Sequence, residues 1–90
     1  MATVTRILLI DDDRVDRTMV RRALEKSGLE HDLVEAPDGA NGLRCAKEQA
    51  FDCVLLDYRL PDIDAFELLT VLLSPEGGSQ AVLMLSLIHI

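Results

Sequence analysis

The chain has 90 residues, 49% of them hydrophobic and only 3% aromatic, and its net charge at pH 7 is −7. This length allows at most one domain, and the composition predicts an aliphatic core. The acidic balance argues against binding of nucleic acid or of an anionic membrane through this segment, because both are negatively charged.

The two cysteines, Cys45 and Cys53, do not have the spacing of a zinc or redox motif. The amino terminus lacks a basic segment followed by an apolar stretch, and no apolar run reaches the roughly 18 residues of a membrane span. We therefore expect a reduced, cytoplasmic chain that makes no contact with a membrane.

The first predicted element is a buried strand over Arg6–Ile10, which is rich in Ile and Leu and ends directly at three consecutive aspartates. An amphipathic helix is predicted over Arg14–Ser27, with Asp13 as its N-cap and Gly28 as its end. Its apolar residues recur at steps of four, and we expect them to face the core; they are Val15, Met19 and Ala23, with Val20 and Leu24 beside them.

The remaining elements continue the alternation of strand and helix. They are, in chain order, a strand at His31–Ala36, a helix capped by Asp38 and running to about Gln49, a strand at Phe51–Asp57, a helix at Ala65–Leu73 and a strand at Ala81–Ser86. The second strand is less apolar than the others, which favours a place near a sheet edge. The alternation predicts an α/β fold, a parallel sheet with helices on both faces.

Acidic residues follow two of these strands. Asp11 and Asp12 come after the first strand, and Asp57 ends the third. Ligands of such sheets bind outside the carboxyl ends of the strands, so we expect the three carboxylates to meet at one site. Carboxylate oxygens suit Mg²⁺, and a carboxylate beside this ion can attack a phosphoryl group. The pattern alone leaves a simpler interpretation open, in which these residues only cap helices and solvate turns.

The segments ILLIDDD and LLDYRLPDID together resemble the receiver domain of two-component response regulators, and the resemblance extends from about Arg6 to Ser86. It implies a flavodoxin-like, doubly wound sheet with strand order 2-1-3-4. It also implies that Asp57 is the phosphoacceptor, that Asp11 and Asp12 hold Mg²⁺ with it, and that the backbone carbonyl of Arg59 supplies a further oxygen.

The chain departs from the family pattern in two respects. Asp64 is followed by Ala65, where the family commonly has Gly. The chain also stops after the fourth predicted strand, so we expect an incomplete receiver in which the fifth strand and the last two helices are missing. The family's phosphate-binding Lys follows that fifth strand, and Lys26 and Lys47 lie within predicted helices and cannot replace it.

The end of the chain, LSLIHI at Leu85–Ile90, departs from the family in a third way. It matches one reading frame of the mosaic-end adapter of transposase-based sequencing libraries, and we interpret residues 85–90 as a non-native tail of the single domain 1–90. Ser86 stands where the family has its switch hydroxyl, and under this interpretation the adapter encodes it. We expect the 90-residue chain to be marginally stable and impaired as a phosphoacceptor.

The resemblance implies partners and a role in a phosphorelay. A histidine kinase or a phosphotransfer domain would donate the phosphoryl group, and the full-length protein would carry an output or kinase module. The receiver would not be an enzyme, although it promotes its own phosphorylation and the later hydrolysis of that phosphoryl group.

Two other functions stay open at this point. The segment DDDRV also fits the opening motif of haloacid-dehalogenase-like phosphatases, in which Asp11 would be the nucleophile. The chain could instead be a receiver-like interaction module that is never phosphorylated.

Overall fold

A computed structural model describes residues 4–57, 60, 62–73 and 82–85. These residues form, in chain order, β1 (Thr5–Ile10), α1 (Arg14–Ser27), β2 (His31–Ala36), α2 (Gly39–Glu48), β3 (Cys53–Asp57), α3 (Ala65–Leu73) and β4 (Val82–Leu85). The predicted alternation of strands and helices is confirmed over this part of the chain. None of the helices described is both long enough and apolar enough to cross a membrane.

The four strands form one parallel sheet in the order β2-β1-β3-β4, as the resemblance implied. β1 lies between β2 and β3, and the register pairs Ile10 with Ala36 on one side and with Leu56 on the other. β2 lies at an edge, in agreement with its lower apolar content. The two acidic segments therefore leave neighbouring strands at the same end of the sheet.

Side chains of β1 alternate between the two faces of the sheet. Leu8 and Ile10 belong to a cluster that α2 and α3 complete; its other buried members are Ala36, Ala46, Phe51, Val54, Leu56, Leu68 and Leu72. The opposite face carries Leu9 and its register partner Glu35, and α1 contacts Glu35 from that side. Helices thus cover both faces, which is the predicted doubly wound arrangement.

α2 packs very closely on β1 at Gly42. A Cβ at this position would overlap the Ile10 side chain, so the helix can approach the strand only because position 42 is glycine.

The predicted core face of α1 is wrong for Val15, Met19 and Ala23, which are exposed, whereas Val20 and Leu24 are half-buried. Val15 is 63% exposed and Met19 is 55% exposed, while the buried residue of this helix is Asp16. A stripe in steps of four drifts around a helix of 3.6 residues per turn, and the face that packs on the sheet lies beside it. The helix ends match the prediction: Asp13 Oδ1 accepts the Val15 N–H at 2.8 Å, and Gly28 takes the left-handed conformation with φ 78°.

The predicted start of β3 is also wrong, because the strand begins at Cys53 and not at Phe51. Phe51 is buried in the core before the strand begins, which explains its apolar character. Asp52 forms a bend in which its N–H donates to the Arg6 carbonyl at 2.8 Å and its carboxylate accepts the Arg6 N–H at 2.8 Å.

Both ends of the predicted fourth strand lie outside the described residues. Ala81 and Ser86, the first and last residues predicted for it, are not described, and neither are residues 87–90. The interpretation of residues 85–90 as a non-native tail, and the single-domain assignment 1–90, stay predictions.

Candidate metal centre

Three carboxylates converge at the carboxyl end of the sheet. Asp11 and Asp12 follow β1, and Asp57 is the last residue of the adjacent β3. One carboxylate oxygen from each lies within 4.8 Å of the others. The pairing of Ile10 with Leu56 brings this about, since it places the next residue of each strand side by side. Asp11 is buried, Asp57 is half-buried and Asp12 is exposed, so the group opens to solvent on one side.

Asp11 is held rigidly at the base of this group. Its backbone N–H donates to the Ala36 carbonyl at 3.1 Å, and its backbone carbonyl accepts a bond from Arg17 Nη1 at 2.7 Å. Its carboxylate Oδ1 accepts the Asp13 N–H at 2.8 Å. The second oxygen, Oδ2, is buried and has no hydrogen-bond partner among the described residues.

The surroundings of Asp11 disfavour its charged form. The pKa of this carboxyl is raised from 3.8 to about 6, mainly by burial, and the Asp13 N–H opposes the rise in part. The negative charges of Asp57, Asp16 and Asp12 contribute to the same rise. The repulsion among these carboxylates is relieved when a cation binds between them.

The residues present fit a magnesium ion. Mg²⁺ takes oxygen ligands at about 2.1 Å and binds through one or two carboxylates while it keeps several waters. Asp11 offers a buried oxygen that lacks a partner in the part of the chain that the structure describes, and the half-buried Asp57 and exposed Asp12 leave room for water on the open side. These three residues could therefore hold the ion.

Two predicted members of the site cannot be placed. Arg59, whose carbonyl was expected to coordinate the metal, and Ser86, expected at the switch position, lie outside the described residues. Both roles stay predictions.

Sequence reasoning missed several residues around the site. Asp16 is 4% exposed and adds negative charge beside Asp11, which its place three residues after the N-cap does not reveal. Arg17 and Glu35 meet across 18 residues of chain, with 3.6 Å between Arg17 Nε and Glu35 Oε1. No local pattern in the sequence predicts that contact.

Asp62 is another residue whose contacts the sequence does not reveal. Its two carboxylate oxygens accept the N–H groups of Gly39 at 2.9 Å and of Ala40 at 3.0 Å. These bonds lower the pKa of Asp62, that from Gly39 most. A Cβ at Gly39 would overlap the Ile63 side chain, so glycine permits this contact. The start of α2 is thereby joined to the residues just before α3.

Comparison with known proteins gives a consistent result. The family model described as the response regulator receiver domain matches residues 7–89. The chain is 41% identical over 61 residues to the transcriptional regulatory protein AfsQ1 of Streptomyces coelicolor, a match that covers 68% of this chain and 26% of that protein. It is 40% identical over 93 aligned positions to the two-component response regulator ORR1 of Oryza sativa, over 92% of this chain and 40% of that protein.

A solved structure shows a similar fold. The receiver domain of the sensor histidine kinase PA1611 from Pseudomonas aeruginosa, with a magnesium ion coordinated in its active-site cleft, superposes with a TM-score of 0.79 at 26% identity. That match covers 93% of this chain and 68% of the other. The chain spans less than half of the length of the two regulators that it matches.

Proposed function

Because the chain belongs to the response regulator receiver domain family, we propose that it accepts a phosphoryl group on Asp57 in a Mg²⁺-dependent phosphorelay. The observation that supports this most directly is the convergence of Asp57 with Asp11 and Asp12 within 4.8 Å. Asp57 is half-buried at the end of β3, where a donor can reach it from solvent.

In the proposed reaction, a carboxylate oxygen of Asp57 attacks the phosphorus of the donor. The physiological donor is a phosphohistidine, and its bond between phosphorus and the imidazole nitrogen breaks with the electron pair staying on that nitrogen. Mg²⁺ bound at the site supplies the positive charge that neutralises the transferred oxygens. Asp11 and Asp12 hold that ion, and the bonds to the backbone of Asp11 keep the loop after β1 in place. The product is an acyl phosphate.

The alternative nucleophile, Asp11, is poorly placed for the same chemistry. It is 1% exposed, and one of its carboxylate oxygens already accepts the Asp13 N–H. A phosphoryl donor in solvent could reach this carboxylate only after a local rearrangement of the site. The trio of acidic residues likewise favours a phosphorylated receiver over an interaction module that is never phosphorylated.

The proposal extends to the role and the location of the chain. It acts as a phosphoacceptor and not as an enzyme on a separate substrate; a histidine kinase or phosphotransfer domain donates, and an output or kinase module responds. We place it in the cytoplasm, which agrees with two cysteines, Cys45 and Cys53, that form no disulfide.

Mapping of the modified residue tests this function. Incubation with a small acyl-phosphate donor and Mg²⁺ should add one phosphoryl group, and mass spectrometry should place it on Asp57. Chelation of Mg²⁺ should stop the reaction, because the charge on the transferred oxygens is then unopposed. A label on Asp11 would support the phosphatase alternative and contradict the proposal.

The surface that a donor protein contacts must adjoin Asp57, since the phosphoryl group moves over bonding distance. Val15 and Met19 are exposed apolar side chains one turn apart on α1, which begins directly after the acidic loop. Exposed apolar side chains beside a reactive group are typical of contact surfaces. We propose that the donor protein packs on them.

Met19→Glu should therefore slow transfer from the cognate phosphohistidine protein by about tenfold, because it places a charge in a desolvated contact. Uptake from a small acyl phosphate should not change, since that donor needs no docking surface. Leu29→Glu is the matched control: Leu29 is 45% exposed but lies at the far end of α1. Equal rates for the two variants with the protein donor would contradict this surface.

A further inference from the structure

One of the bonds that keep the loop of Asp11 and Asp12 in place comes from a side chain of α1. Arg17 Nη1 donates to the backbone carbonyl of Asp11 at 2.7 Å. That carbonyl belongs to the peptide bond between Asp11 and Asp12. The position of Arg17 therefore affects the orientation of both residues proposed to hold the metal.

Arg17 is itself oriented by β2. Its Nε lies 3.6 Å from Glu35 Oε1, while its Nη1 reaches the Asp11 carbonyl. The side chain is only 18% exposed, so the guanidinium is held between the strand end and the helix with little freedom. Its planar group can serve both partners at once, because its donors point in different directions within one plane.

Arg21 provides a close comparison within the same helix. Its Nε lies 3.2 Å from Glu35 Oε2, so both arginines share one carboxylate. Arg21 is 46% exposed, and within the described part of the chain its side chain contacts Glu35 and not Asp11. The two residues thus have the same charge and the same acidic partner, and they differ in the bond to the acidic loop.

We propose that Arg17, oriented by Glu35, is a positioning residue that holds the Asp11–Asp12 peptide in the geometry that binds Mg²⁺. This inference rests on the proposed function, because it assumes that these carboxylates take the metal. Residues one step removed from a metal ligand commonly control affinity by fixing the ligand's orientation. Arg17 does so through the main chain.

The positive charge of Arg17 repels a cation, whereas the proposed positioning of the Asp11–Asp12 peptide favours its binding. The test variant must therefore keep that charge. A lysine has a single charged nitrogen, which cannot reproduce the planar fork that faces both Glu35 and the Asp11 carbonyl. Arg17→Lys is therefore the informative variant, and Arg21→Lys is the matched control.

The affinity for Mg²⁺ alone, measured by calorimetric titration of the protein, should fall about tenfold in Arg17→Lys. Arg21→Lys should stay within about twofold of the unmodified protein, because only the Glu35 contact changes. Urea unfolding of both variants without Mg²⁺ separates positioning from stability. If Arg17 had only a structural role, the affinity for Mg²⁺ would fall only in a variant whose free energy of unfolding also falls.

A double variant tests the route through Glu35. Glu35→Gln should weaken Mg²⁺ binding when Arg17 is present and should have little further effect once Arg17 is Lys, because the two residues then act in series. Equal affinities for Arg17→Lys and Arg21→Lys would overturn the inference. If Asp57 still takes up the phosphoryl group in that case, the proposed function stands; if uptake is independent of Asp57, the proposed function has failed instead.

Discussion

Replacement of Asp57 with Asn should abolish phosphoryl uptake, with a loss of more than about a thousandfold in rate. The amide has nearly the same size as the carboxylate, so the end of β3 keeps its packing. It lacks the negatively charged oxygen that attacks phosphorus, and its neutrality also weakens the attraction of the site for Mg²⁺. Both consequences lower the rate, and the first alone is sufficient for the loss.

The measurement is incorporation of phosphoryl groups from a small acyl-phosphate donor at saturating Mg²⁺, followed by intact-protein mass spectrometry. Asp32→Asn is a suitable control, because Asp32 is an exposed aspartate on β2, a strand away from the acidic site. That variant should react at the normal rate. Uptake that persists in Asp57→Asn would show that another residue is the nucleophile.

Replacement of Asp11 with Asn should have opposite effects on stability and on metal binding. Its folded-state pKa of about 6 lies above the value of 3.8 for an exposed aspartate, so the folded state binds the proton more tightly than the unfolded state. Without metal, the unfolding free energy must then fall as pH rises from about 4 to 7. The shift corresponds to at most about 3 kcal/mol at pH 7.5.

Asn cannot ionise, so the variant avoids this cost at neutral pH. Its amide nitrogen would replace the buried Oδ2 and leave a donor without a partner, which costs roughly 1–2 kcal/mol. The metal-free variant should therefore be more stable by about 1–2 kcal/mol at pH 7.5. It should have no such advantage at pH 4.5, where Asp11 in the unmodified protein is protonated.

Urea denaturation at the two pH values, with and without Mg²⁺, checks this expectation. Mg²⁺ should stabilise the unmodified protein at pH 7.5 and should have little effect on Asp11→Asn, which has lost a ligand. Asp12→Asn serves as a control, since Asp12 is exposed and its charge contributes least to the raised pKa of Asp11, so metal-free stability should change much less than in Asp11→Asn. A metal-free Asp11→Asn protein less stable than the unmodified one at pH 7.5 would contradict the argument.

The sequence predicted the elements well where local chemistry determines them. Asp13 and Gly28 bound α1 as expected, because a cap and a left-handed terminus depend on a few adjacent residues. The side of α1 that faces the core was predicted wrongly for Val15 and Met19, because apolar spacing does not determine which stripe a sheet covers. Phe51 was assigned to β3 for its apolar character, which in fact reflects burial ahead of the strand.

The candidate site was predictable in its acidic residues and not in its supporting contacts. Strand ends in a parallel sheet meet at one edge, so Asp11, Asp12 and Asp57 could be brought together from the sequence. The contact between Arg17 and Glu35 depends on how α1 is rotated against β2. That rotation is a property of tertiary packing, and no motif in the sequence encodes it.

The central place of β1 has a consequence for synthesis of the chain on the ribosome. Of the four strands, β1 emerges first, and β2 can pair with it after about 26 further residues. The other neighbour of β1 is β3, which begins only at Cys53. Until then one edge of β1, whose last four residues are buried in the complete fold, has no partner, and its carboxyl end lacks the strand that supplies Asp57. A nascent chain at this stage exposes an unpaired strand edge, which favours aggregation unless a chaperone covers it.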